Sequence, residues 1–166
     1  MKRYTICLLL ALLPVTAQAT PPITGKVVAV TDGDTIKVLD ADKQLTKVRL
    51  AGIDCPERGQ PYGRVATDAA AALVAGKTVE VEVVDTDRYG RTVGRVYVDG
   101  NNVNRALVNA GHCWAYTRYV RDKMLFTLQD DARKAQRGLW RLPAAERMPP
   151  WEWRRKGKSK PKPSSL

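Results

Sequence analysis

"GKVVAVTDGDTIKVLDADKQLTKVRL", residues 25–50, holds three short apolar runs separated by turn-forming residues, and its reading decides the fold. Gly25 to Thr31, Asp34 to Leu39 and Thr46 to Leu50 are rich in valine, isoleucine and threonine and have strand length. Asp32 and Gly33, between the first two runs, are a tight-hairpin signal. Two further strands lie downstream, Thr78 to Val84 and Thr92 to Val98. In the fourth, Val79, Val81 and Val83 alternate with Glu80 and Glu82, the period of a half-buried strand.

Between the third and fourth strands, the alanine-rich run Arg64 to Ala75 ends at Gly76, which reads as a helix with a glycine cap. Two more helices follow the fifth strand. Val103, Ala106, Leu107 and Ala110 share one face and stop at Gly111; Leu125, Leu128, Ala132 and Ala135 share another and stop at Gly138. Three strands, a helix, two strands and then helices is the order of an OB-fold: a five-stranded Greek-key barrel with three helices, α+β in class and mainly β barrel. Such barrels often bind oligonucleotides or oligosaccharides, but function has to be argued from a site.

The chain opens with Lys2 and Arg3, an apolar run from Ile6 to Leu13, and the small-residue pattern Ala17, Gln18, Ala19. This predicts a signal peptide over residues 1–19 and an exported protein, periplasmic or secreted. The run is too short to cross a bilayer, which takes about 20 apolar residues. One domain is expected over 20–153, acting as a monomer, with a basic, disordered tail over 154–166 where "RRKGKSKPKPSSL" has no apolar period. Lys and Arg number 28 against 17 Asp and Glu, a net charge of +11. Such a balance favours a polyanionic partner, nucleic acid foremost, although part of it only solvates the tail. Of three cysteines, Cys7 leaves with the signal peptide. Cys55 and Cys113 are expected to pair in an oxidising compartment.

One histidine, His112, and two mature cysteines cannot supply the usual zinc ligands, so any metal here should be hard and oxygen-bound. Asp34 shares parity with Ile36 and Val38 and should face the mouth of the barrel, where a carboxylate is costly unless paired or bound to a cation. Asp54 and Glu57 follow the third strand, on which Arg49 falls on the face opposite Val48 and Leu50. Taken singly, each motif reads as turn acids or a solvated loop. Taken together, Asp34 and Asp54 can converge on one divalent ion. Arg88 and Arg91 in "DTDRYGR", residues 85–91, add guanidinium groups suited to phosphate, and Glu57 is left as an acid able to take a proton from water. A phosphodiester is the substrate class that needs all these parts.

"TDGDT" (31–35), "VRLAGIDCPE" (48–57), "DRYGR" (87–91) and "VNRALVNAG" (103–111) together resemble the thermonuclease, or staphylococcal nuclease, family in order and spacing over about residues 24–140. The ending "PPWEWRRK" (149–156) is similar to that of secreted Gram-negative members. The resemblance implies a Ca2+-dependent nuclease that cuts DNA and RNA and leaves 3′-phosphorylated ends. It implies that Asp34 and Asp54 ligate calcium through carboxylates and Cys55 through its backbone carbonyl, and that Arg49 and Arg91 hold the scissile phosphate. Glu57 would be the general base, and Tyr89 with Tyr116 or Tyr119 would line the nucleotide pocket. Two features depart from the family pattern: cysteine stands where threonine is usual at 55, and the loop after Glu57, "RGQPYGR", is short. Trp151 and Trp153 are expected to dock the chain end onto the domain, with stacking on bases as the other reading. The competing functions are a non-catalytic OB-fold nucleic-acid-binding module and a basic envelope protein that holds anionic polymers through its tail.

Overall fold

The computed structural model describes residues 21–159; the signal peptide expected over 1–19 and the end of the basic tail lie outside them. The barrel is built from β1 (Ile23–Asp32), β2 (Thr35–Asp40), β3 (Leu45–Leu50), β5 (Thr78–Thr86) and β6 (Thr92–Val98), with the short β4 (Ile53–Asp54) following β3. They pair in the order β3-β2-β1-β5-β6, and β6 returns to β3 to close the ring. That closing pair is parallel, Val48 opposite Thr92 and Leu50 opposite Gly94, whereas its neighbours run antiparallel. Closure leaves no barrel strand with an open edge at this seam.

Alternation fills the interior as expected. Val79 and Val81 are buried while Glu80 and Glu82 are exposed; Ile36 and Val38, Val48 and Leu50, and Val96 and Val98 supply the facing layers. β1 alternates as far as Val28, and a register shift between Val27 and Ala29 then breaks the period, leaving Ala29 exposed beside Val28. The first hairpin differs by one residue from its sequence reading. Asp32 pairs with Thr35, so Gly33 and Asp34 form the turn and Asp34 precedes β2. The Asp32 carboxylate accepts the Asp34 N–H at 3.2 Å and braces that turn. Asp34 is nevertheless buried, 6 % exposed, because its carbonyl accepts the Leu50 N–H at 2.8 Å and draws it against the end of β3.

Helix α1 (Gly63–Val74) packs Ala66, Ala70 and Val74 on the barrel. Only glycine fits its first position: a Cβ on Gly63 would lie 1.8 Å from the Glu57 carbonyl oxygen. β7 (Asn101–Asn102) leads into α2 (Val103–Asn109), capped by the Asn102 side chain on the Arg105 N–H. Buried Asn104 accepts from Val96 N–H and donates to Ala51 O, tying α2 to the barrel rim beside β4. β8 (Trp114–Ala115) pairs with β4, and α3 (Met124–Lys134) buries Leu125, Gln129 and Ala132. Gln129 takes an inward place because its side-chain oxygen accepts the Ala115 N–H at 2.9 Å. Ala135, expected on the apolar face, lies past the helix end and is exposed. The Cys55–Cys113 disulfide forms as expected.

Two short 3-10 turns, Gly138–Arg141 and Ala144–Glu146, carry the chain to a fourth helix, α4 (Pro150–Ser159). Residues 154–159 are therefore helical where a disordered tail is the reading from sequence, and the fold has one α-helix more than expected. Pro150 suits the first helical position, and Trp151 fastens the helix by stacking on Tyr116 and packing edge-on to Trp114. Docking by Trp151 is the outcome favoured in the sequence. Among the described residues no helix is long and apolar enough to cross a membrane.

Candidate active site

The end of β3 and the turn before β2 meet at one rim of the barrel, and there the chain gathers its acids. Asp34 and Asp54 are both buried, at 6 % and 0 % exposure. Between them lies Arg49, whose guanidinium is 3.1 Å from Asp34 Oδ2 and 3.0 Å from Asp54 Oδ1. The same side chain donates to the carbonyls of Leu50 and Ile53, so it holds the loop from β3 to β4 as well as both acids. Arg49 points away from the apolar interior of the barrel, as parity requires; its long stem brings the charged end over the rim.

Backbone and side-chain donors complete the carboxylate shell. The Cys55 N–H donates to Asp34 Oδ2 at 2.8 Å, and the Thr35 hydroxyl donates to Asp34 Oδ1 at 3.1 Å. The disulfide holds that Cys55 amide against Gly33 and Asp34, since a Cβ on Gly33 would lie 2.7 Å from Cys55 Cβ. Glu57 stands three residues further on. Its amide donates to the side-chain oxygen of Gln60, which is buried and donates in turn to the Met148 carbonyl.

Burial sets the electrostatics of this rim. Loss of water pushes the Asp34 carboxyl up to about 7, against the pull of Arg49 and with help from the neighbouring Asp32 and Asp54. Burial also raises Asp54, opposed by its hydrogen bond from Arg154 and by Arg49. Carboxylates kept this dry favour a bound cation, and oxygen donors select a hard one. Asp34, Asp54 and Glu57 carry three negative charges when ionised, against Arg49 and Arg154. Without Arg154 the excess is two, which a divalent ion neutralises. The charge and the oxygen donors of Asp34 and Asp54 thus fit a hard divalent cation. Among the described residues no three His, Cys, Asp or Glu side chains gather as a ready-made metal cluster, so carbonyl and water oxygens would complete the shell.

Arg154 is the residue missed in the sequence, where it belongs to the solvated tail. Its Nη2 lies 2.6 Å from Asp54 Oδ2, and its Nη1 lies 2.5 Å from Glu57 Oε1 and 3.2 Å from Asp54 Oδ1. The available signal was Pro150 followed by Trp151 and Arg154, one helical turn apart behind a helix-starting proline.

The remaining expected residues form a second group. On the β5–β6 loop, Arg91 pairs with Asp87 at 2.7 Å through Nε, and the Asp87 carboxylate also accepts the backbone N–H groups of Tyr89 and Arg91. Arg88 donates to the Tyr89 hydroxyl and lies over its ring, which is exposed. The structure thus brings Asp34, Arg49, Asp54, Cys55 and Glu57 together, while the ion pair and hydrogen bonds of Arg91 go to Asp87. Tyr116 and Tyr119 pack edge to face with centroids 4.9 Å apart, Tyr119 exposed and Tyr116 beneath Trp151. His112 is structural: its Nδ1 meets the Tyr62 hydroxyl at 3.0 Å, and burial lowers its pKa.

Known proteins match this chain in sequence. The family described as staphylococcal nuclease homologue matches residues 47–142, which include Arg49, Asp54, Cys55, Glu57 and Arg91. The chain is 51 % identical over 133 residues to a protein named as an uncharacterized endonuclease in Escherichia coli O157:H7, covering 80 % of this chain and 85 % of that one. It is 41 % identical over 176 residues to a protein named ParB in Escherichia coli, covering 96 % and 98 %. A micrococcal nuclease of Shigella flexneri is 40 % identical over 146 residues, with 81 % and 82 % covered. A closed five-stranded barrel, a buried pair of carboxylates bridged by one arginine, and relatives aligned over most of both chains place this protein in the staphylococcal nuclease family.

Proposed function

We propose that the protein is a calcium-dependent endonuclease that hydrolyses phosphodiesters of DNA and RNA and leaves 3′-phosphorylated ends. The observation that carries this reading is the rim pair Asp34 and Asp54, buried, bridged by Arg49 and flanked by Glu57. The names of two relatives, an endonuclease and a micrococcal nuclease, support it.

Calcium, when bound, would offset charge that grows on the phosphoryl oxygens. Asp34, Asp54 and the Cys55 carbonyl would hold it. Arg49 is fixed by two main-chain carbonyls and so presents its guanidinium without loss of orientation. Arg91 is braced by Asp87 and offers a second guanidinium from the opposite hairpin. Glu57, whose side chain is 38 % exposed, is open to water and would accept a proton at its carboxylate as the water attacks phosphorus. Cleavage of the bond from phosphorus to the 5′ oxygen then leaves the phosphate on the 3′ end. Arg88, Tyr89, Tyr116 and Tyr119 would seat the nucleotide by charge and stacking. A signal peptide expected over residues 1–19 supports the further reading that this activity lies outside the cytoplasm, periplasmic or secreted.

The test is digestion of plasmid DNA and of RNA by the purified mature protein, with CaCl2 against EGTA, followed by end analysis. Calcium-dependent cleavage with 3′-phosphate ends is expected. Nucleic-acid binding without cleavage in calcium would return the protein to the class of binding modules.

A further inference from the structure

Helix α4 rests two side chains on groups that the proposed reaction needs free. Trp151 lies face to face with Tyr116, centroids 5.2 Å apart and planes 6° from parallel. Arg154, three residues later and therefore on the same side of the helix, reaches both oxygens of Asp54 and one of Glu57. An aromatic ring flat on Tyr116 takes the surface on which a base would stack. A guanidinium across Asp54 and Glu57 takes the place of a cation with a single charge.

We propose that α4 is a displaceable plug, with Trp151 standing in for a base on Tyr116 and Arg154 standing in for the metal on Asp54. The proposal rests on the calcium-nuclease reading of the rim and adds a competitor to it. The contacts suit exchange better than permanent support. Arg154 keeps 39 % of its side chain in water although the Asp54 carboxylate it covers is only 1 % exposed, so solvent and ions reach the guanidinium from outside, and the contacts of α4 with these groups run through Trp151 and Arg154. Its other charged groups include Arg155, which pairs at 3.9 Å with Glu152 of the same helix. Calcium replaces one positive charge with two, against three carboxylates that exceed Arg49 by two charges when ionised. A polyanion draws Arg154 and Arg155 from carboxylates to phosphates, so substrate and metal open the plug together.

The mature chain and its Arg154→Ala, Trp151→Ala and Arg155→Ala variants test this by calorimetric titration with CaCl2 in the absence of nucleic acid. A plug closed about nine times in ten weakens apparent affinity about tenfold, so Arg154→Ala should bind calcium about tenfold more tightly. Arg155→Ala, which removes the same charge from an exposed site, should match the parent. Equal or weaker calcium binding by Arg154→Ala overturns the plug. If calcium binds none of the proteins, the calcium reading fails by itself and a second arm decides the plug. Fluorescence anisotropy of a fluorescein-labelled thymidine dodecamer in EDTA should then show tighter binding by Arg154→Ala and Trp151→Ala. Loss of a positive charge alone weakens phosphate binding, so a gain runs against simple electrostatics. Equal or weaker oligonucleotide binding by both variants overturns the proposal.

Discussion

Replacing Cys55 and Cys113 by alanine tests the brace behind the carboxylate rim, and its size follows from the chain. The bond closes a loop with a sequence separation of 58. For that length the chain-entropy relation gives about 14 cal/mol/K, or about 4 kcal/mol at 25 °C, released into the unfolded state when the link is cut. The folded state keeps its own ties across the same gap, because β4 and β8 pair Ile53 with Ala115 and Asp54 with Trp114. The loss therefore acts mainly through the unfolded chain, and the barrel should still assemble. Both cysteines are buried, at 4 % and 0 % exposure, so the missing sulfur atoms add on the order of 1 kcal/mol of lost packing. With a urea slope of about 1.5 kcal/mol/M, the unfolding midpoint should fall by about 3 M. Dithiothreitol added to the parent protein should lower its midpoint by a similar amount. A double variant within about 1 kcal/mol of the parent would refute the entropic account of this bond.

Other outcomes follow from single groups. Glu57→Gln, measured in saturating calcium, should lose cleavage rate by a factor on the order of 10² or more while still binding a short oligonucleotide; near-normal turnover removes it as the base. Arg91→Lys should lose rate by a factor on the order of 10² because an ammonium cannot reproduce a two-point guanidinium contact to phosphate. A parent-like rate would show that the pairing of Arg91 with Asp87 is its whole role. His112 titrates below its ordinary 6.5 because burial disfavours the charged ring. Its contribution to stability is therefore complete above the unfolded pKa and is lost as pH falls through the window beneath it. Urea midpoints between pH 7 and 5 should drop in the parent and flatten in His112→Gln; parallel curves would count against this sign.

The barrel was legible because each strand states its own period. Val79, Val81 and their glutamate neighbours need no distant partner to declare an inside and an outside, and β6 is found with the bounds expected for it. The departures occur where a side-chain hydrogen bond overrules the apolar pattern. Asp32 caps its own turn and moves Asp34 out of β2. Gln129 takes a core position that hydropathy gives to its neighbours, since its partner is an amide on β8 that only tertiary folding supplies.

The site was legible to the extent that its acids are costly to bury. Asp34, Arg49, Asp54, Cys55 and Glu57 sit within one hairpin and one loop, so local chain geometry nearly fixes their meeting. Arg154 lies 100 residues from Asp54, and nothing in a basic tail distinguishes one arginine from the next until a carboxylate selects it. The selection has a physical cause: two dry carboxylates and Glu57 exceed the charge of Arg49, and the rim must be neutralised by whatever cation is within reach. In the folded chain that cation is Arg154. The divalent ion proposed for this rim would compete for the same oxygens, so one demand for positive charge would account both for metal binding and for capture of the basic tail. The order of affinities along the series parent, Arg154→Ala and Asp54→Asn measures that demand directly. Calcium should bind more tightly in the second than in the first and more weakly in the third than in either, and a series in any other order would break the link between the two.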